Sequence, residues 1–223
     1  PKTTTGFNRY YGIYARGDFS LENSATLDVD ILNESTGETQ CLRVDNGGSI
    51  EISGSTTFTM NTNGVGIVQS NDKGGEEYIQ TGGLVKVTQS AKGLWVYNFQ
   101  LKGGELNISA DEALNKRDGG KTGAAGTQVG SALVVAGSTK VEFSGGTAKL
   151  SGTPAVNSGA NSSNSIFENV TVKAGSSEAD ATEITPFSAS NLGSYNYVEV
   201  TKAAPPITKY DIWVNGVRVT SEN

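Results

Sequence analysis

Carboxylates are the acid–base groups this sequence offers. It contains no histidine and a single cysteine, Cys41. That removes Ser-His and Cys-His nucleophile pairs and most zinc and haem sites. Asp28 and Asp30 stand two apart in the alternating run Leu27–Ile31. They therefore share one face, opposite Leu27, Val29 and Ile31, and are expected to point into solvent. Asp72, Glu76 and Glu77 sit in one Gly-bearing loop, and Asp111, Glu112 and Asp118 in another. Calcium could collect such oxygens, but the EF-hand and nonapeptide spacings are absent, so no cofactor is expected. Two carboxylates about 5–10 Å apart would permit glycoside hydrolysis, a distance that only folding supplies. Gly119–Thr122 reads GGKT, the tail of a phosphate-binding loop. The glycine that motif needs five residues before Gly120 is Asn115, and no strand leads in.

The aromatic residues point to a different chemistry. In Leu94–Phe99, LWVYNF, strict alternation puts Leu94 and Val96 toward a core. Trp95, Tyr97 and Phe99 then face outward together. The equivalent outward position holds Tyr14, Arg43 and Phe167 in neighbouring repeats. An aromatic row on a rigid sheet can stack sugar rings while nearby polar groups bond the hydroxyls. Trp95, Tyr97, Phe99, Tyr14, Arg43 and Phe167 are thus the candidate glycan platform. Cover by the insertion at 109–130 would instead turn the aromatics into a satellite core.

The elements that would hold such a platform are short and repeated. A triplet-like strand, a second short strand, a Gly-bearing corner and a third strand recur along the chain. The opening apolar residues are Ile13, Leu42, Ile67, Leu94, Leu133 and Ile166, spaced by roughly 25–39 residues, within the range of solenoids and arrays. Corners fall at Ser53-Gly54-Ser55, Thr81-Gly82-Gly83, Lys102-Gly103-Gly104 and Ser144-Gly145-Gly146. There Gly54, Gly82, Gly103 and Gly145 are expected to supply φ > 0. The pattern predicts an all-β chain: a right-handed single-stranded parallel β-helix, or β-solenoid, of about six coils with three short strands each. A β-sandwich is the alternative.

Two insertions break the period. In Ser109–Gly130, Ser109 followed by Glu112 predicts a capping box and one helical turn over Asp111–Lys116. Thr153–Asn164 reads as a polar loop. Tyr195–Val200 reads as a last strand. The solenoid is expected over 1–202, a linker over 203–209, and a β-hairpin over 210–223. In that hairpin Asn215-Gly216 forms the turn between Ile212-Trp213-Val214 and Val217-Arg218-Val219. It either opens a truncated following module or caps the solenoid.

Tyr210–Asn223, YDIWVNGVRVTSEN, resembles the opening phrase of modules in large, repeat-built bacterial cell-surface proteins, adhesin-like and carbohydrate-binding-domain-containing. The repeats, with GIYARGDF near the start, resemble the β-helical part of the same proteins. The resemblance implies surface display and contact with glycans or host surface proteins, in an extracellular or cell-surface location. It assigns no site residue. The expected function is therefore a non-catalytic surface module for adhesion or glycan binding. A carboxylate-dependent polysaccharide hydrolase or lyase and a structural spacer are the alternatives. The net charge of −6 lacks the basic patch of a nucleic-acid binder. No apolar run approaches the length of a membrane span, so no membrane insertion by this segment is expected. The start at Pro1, without a signal segment, suggests a mature product or part of a larger chain.

Overall fold

The computed structural model describes residues 9–32, 38–70, 73–115 and 128–204, with the backbone of two strands at Ile212–Val214 and Val217–Val219. Its first pass comprises β1 (Arg9–Arg16), β2 (Phe19–Leu21) and β3 (Thr26–Ile31). The second comprises β4 (Glu38–Asp45), β5 (Ile50–Ile52) and β6 (Thr57–Thr62). The next three have two strands each: β7 (Val65–Gln69) and β8 (Tyr78–Gln89), β9 (Lys92–Val96) and β10 (Phe99–Ser109), β11 (Leu133–Val135) and β12 (Val141–Ser151). A sixth supplies β13 (Val156–Ser158), β14 (Ser165–Phe167) and β15 (Val170–Gly175). Then follow β16 (Thr182–Glu183), the single-turn helix α1 (Ala189–Leu192) and β17 (Tyr197–Lys202). Finally, β18 (Ile212–Val214) and β19 (Val217–Val219) pair antiparallel with each other. The predicted turn residues Asn215 and Gly216, like most of the expected linker, lie outside the described residues.

The fold is all-β. The opening strands of the six passes form one sheet in the order β1-β4-β7-β9-β11-β13, every pair parallel. The remaining strands of the main body form a second, mixed sheet. Through β14, each strand thus pairs with a strand one pass away, not with its sequence neighbour; β15 to β19 pair antiparallel. Ile13, Leu42, Ile67, Leu94, Leu133 and Val156 are successive register partners across the first sheet. From Leu42 on, this column is fully buried, in one core shared with Ile52, Phe58, Leu106 and Leu150 of the second sheet. Alternation makes it so: each pass has one apolar side, which packs only against its neighbours. Ile13, Leu27 and Val29 of the first pass pack against this core but are only partly buried. No described strand stacks on their outer edge. Cys41 lies fully buried in the same core, its thiol pushed up to about 12 by burial.

Several sequence expectations need correction. The sixth pass opens at β13, inside the expected polar loop, because Ala155-Val156 suffices to pair with Leu133. Ser165–Phe167 is a second strand, paired with Val141–Phe143. The second and third strands of the middle passes are continuous (β8, β10, β12), bending at the Gly-Gly corner with a register shift. At that corner the left-handed residues are Gly83, Gly104 and Gly146, at φ +69°, +77° and +71°. The preceding Gly82, Gly103 and Gly145 are needed for space: a Cβ there would press into a backbone oxygen of the previous pass. Gly54 does have φ +70°. The strand expected over Tyr195–Val200 runs the other way: β17 inserts antiparallel between β12 and β15, and β16 forms that edge of the second sheet.

Candidate functional site

The structure splits the expected platform. Leu94 and Val96 do face the core, but alternation stops at the next corner. Asn98 takes φ +40°, its side-chain amide donates to Glu76 O at 2.9 Å, and its Oδ1 accepts from Lys140 N. The chain turns there, and Phe99 starts β10 on the inside, with no exposed surface. It stacks on Tyr78 at 5.3 Å and meets Phe143 at 5.2 Å. Phe167 continues the same interior ladder, stacked on Phe143 at 5.4 Å and touching Phe187 at 5.6 Å. Phe99 is therefore a core residue and Phe167, partly buried, packs against the core; neither stands on the platform. The legible warning was Asn98, a residue that tolerates the left-handed turn.

Trp95 does point away from the main core, but it is covered. With Val65, Val68, Ala91 and Val129 it forms a second apolar cluster, joined by Leu114. Leu114 and Val129 belong to the insertion, so the satellite-core reading holds for Trp95. The expected helical turn is a short 3-10 turn, Glu112–Leu114. It is capped by Asp111, whose Oδ1 accepts from Ala113 N at 2.9 Å, not by Ser109. Residues 116–127 of the insertion, with the GGKT phrase, lie outside the described residues. Tyr97 is half-buried in the turn after β9, its N–H donating to Gln69 Oε1 at 3.0 Å.

Beside Trp95 lies a lysine that the sequence did not single out. Lys92 is wholly buried and holds Nζ 4.4 Å above the indole ring, a cation–π contact. Burial pushes its ammonium down to about 8, against the pull of Glu38. An unfolded lysine keeps its proton to about 10.4. Between these values the unfolded chain binds more protons, so stability rises with pH. The expected gain from pH 7.5 to 9.5 is on the order of 1–3 kcal/mol. The raised Cys41 thiol lowers stability over the same window in both proteins, so urea unfolding of wild type and Lys92→Met at the two pH values checks this by difference: the stability of wild type relative to the variant should rise by that amount.

What stays open of the outward row is its first part. Tyr14 is 47% exposed and Tyr10 41%. Tyr14 stands in register with Arg43, and Tyr11 lies 5.2 Å from its ring. Tyr14 Oη donates to Asp45 Oδ2 at 2.9 Å, and Arg43 Nε donates to Asp45 Oδ1. Asp45 thereby ties tyrosine and arginine into one unit, and the hydrogen bond it accepts, with its negative charge, raises the phenol above its ordinary value. The result is an exposed tyrosine face beside a guanidinium–carboxylate pair.

The other acids serve the scaffold. Asp28 and Asp30 are exposed as expected; Thr59 donates to Asp28, and Asn61 Nδ2 donates to Asp30 at 3.3 Å. Glu76, in contrast, is buried, its Oε1 accepting from Lys73 N and Gly74 N. Asp72 and Asp118 lie outside the described residues, so neither loop cluster of carboxylates falls wholly among the described ones. The chain matches no family model, no curated protein and no solved structure.

Proposed function

We propose that the chain is a non-catalytic extracellular surface module for adhesion or glycan binding, carried on a right-handed single-stranded parallel β-helix of about six coils. The in-register column from Ile13 to Val156 supports the β-helix over a sandwich. A sandwich built of hairpins would pair sequence neighbours antiparallel. The surface phrase at Tyr210–Asn223 supports display at the cell surface as part of a larger chain.

One observation carries the binding reading: exposed Tyr14, with the Tyr11 ring 5.2 Å away, stands beside the Arg43–Asp45 pair on a parallel sheet. A sugar presents its apolar ring face to a phenol ring, and its hydroxyls to guanidinium and carboxylate. Three carboxyls with resolved shifts are not set up as general acids. Burial pulls Glu142 up, but Lys140 and Ser144 hold it below the ordinary range. Lys149 holds Glu178 down, and Ser176 and Ser177 hold Asp180 down. A general acid needs the opposite shift.

A glycan-array screen with wild type and Tyr14→Ala tests this. The expected result is binding to a subset of glycans that falls about tenfold or more in the variant, a loss of roughly 1.4 kcal/mol, with melting unchanged. Binding unaffected by the change would refute the site. Wild type that binds no glycan would favour the spacer reading. Release of reducing ends from polysaccharides would favour the hydrolase.

A further inference from the structure

β1 ends on a charge that its surroundings leave unused. Its last three residues are Tyr14, Ala15 and Arg16. Ala15 packs against the main core, so alternation puts Tyr14 and Arg16 on the outward face together. Both are exposed. The backbone holds this strand end in place: Arg16 is in register with Asp45, and Gly17 N donates to Asp45 O at 3.1 Å. Two residues along a strand are about 7 Å apart, so the Arg16 side chain starts close beside the Tyr14 ring. Its charge acts on the Tyr14 phenol, opposing the rise that Asp45 causes.

The arginines of this face are not equivalent. Arg9 pairs with Glu38, Nε to Oε2 at 3.5 Å, and Arg43 pairs with Asp45. Both oxygens of Asp45 are engaged, Oδ1 by Arg43 and Oδ2 by Tyr14. Asp18, the next acid along the chain, has Oδ1 accepting from Ser49 N at 2.9 Å. Among the described residues the Arg16 side chain has neither an ion pair nor a hydrogen bond. Its guanidinium stands free in solvent, where a ligand can reach it.

Position gives that charge its meaning. The Tyr11 and Tyr14 rings, 5.2 Å apart with 33° between their planes, form an aromatic surface, and Arg16 supplies a cation at its side. An aromatic ring takes the apolar face of a sugar. A guanidinium fork matches a carboxylate with two parallel hydrogen bonds, each about twice as strong as a neutral one. The step from Tyr14 to Arg16 suits one sugar ring with an exocyclic carboxylate, whereas a neutral sugar would leave the fork to water. We infer that the ligand of this face is an acidic sugar, a pyranose ring bearing a carboxylate, with its ring against Tyr14 and its carboxylate on Arg16. The inference rests on the glycan-binding reading proposed above and names the ligand class. The whole chain carries a charge of −6, so the attraction is local to this guanidinium and weakens with salt.

The test titrates the ¹⁵N-labelled full chain with matched pairs, galacturonate against galactose and glucuronate against glucose, and with galactose-6-sulfate. At least one of the two acids should shift the amides of Tyr14, Ala15 and Arg16. It should bind about tenfold or more tighter than its neutral partner, as a hydrogen bond between charged groups provides. Arg16→Gln should bring that ratio close to one, with the thermal midpoint unchanged, as for an exposed side chain without partners. An acid that binds no better than its neutral partner, or a preference that survives Arg16→Gln, would overturn the inference and leave the glycan-binding reading standing. Tighter binding of galactose-6-sulfate than of galacturonate would overturn the carboxylate assignment. Absence of shifts at Tyr14 with both acids would overturn the inference as well, while the glycan array with Tyr14→Ala decides the broader reading separately.

Discussion

Replacing Phe99 with alanine lowers the unfolding free energy by about 3–5 kcal/mol, the range for deleting a fully buried aromatic ring. Urea denaturation of wild type and variant measures it. Phe99 sits between Tyr78 and Phe143, the interplanar angle to Tyr78 being 9°. It therefore supports both neighbouring passes, and the cavity left behind cannot close without moving the ladder that continues to Phe167. Placed outward beside Trp95, as unbroken alternation suggests, the same residue would cost within about 0.5 kcal/mol to truncate. The two placements differ by several kcal/mol, so one unfolding curve separates them.

Gly104→Ala loses at least about 3 kcal/mol, while Gly137→Ala loses only about 1–2. Both glycines are left-handed, at φ +77° and +69°, and an L-residue pays about 1–2 kcal/mol for that conformation. The difference is what surrounds them. A Cβ on Gly137 meets nothing within 4 Å, whereas one on Gly104 presses into the backbone of Gly82 and Gly83. That backbone is itself the corner of the previous pass and cannot yield without opening the stack. Paired urea curves for the two variants check the prediction. Equal losses would mean that the corners do not stack as described.

The interior column was legible in the sequence because alternation leaves a strong trace: Ile13, Leu42, Ile67, Leu94 and Leu133 all fall into register. Local pattern failed where the chain turns or where distant segments decide burial. Asn98 ends one alternation and begins another, which moves Phe99 from platform to core, and Phe167 packs against the core because β14 is a second strand, not an opening one. Trp95 is outward by pattern, but Leu114 and Val129 cover it, and no period announces where an insertion will lie. Tyr14 and Arg43 were found because the first pass carries little above them. The reversal of β17 left no mark either, since Tyr197–Lys202 alternates alike in either direction.

Distance measurement between spin labels tests the proposed β-helix most directly. Asp28, Thr59, Lys86, Asn107 and Lys149 are successive register partners on the outward face of the second sheet. The row continues through Glu199 to Lys173. At about 4.8 Å per strand, Asp28 and Lys149 are four steps and about 19 Å apart; Asp28 and Lys173 are six steps and about 29 Å apart. With Cys41 replaced by serine and labels at 28/149 and 28/173, the β-helix predicts two narrow distributions whose means differ by about 10 Å. Equal means, or a shorter distance for the second pair, would contradict sequential stacking and return the fold to a sandwich.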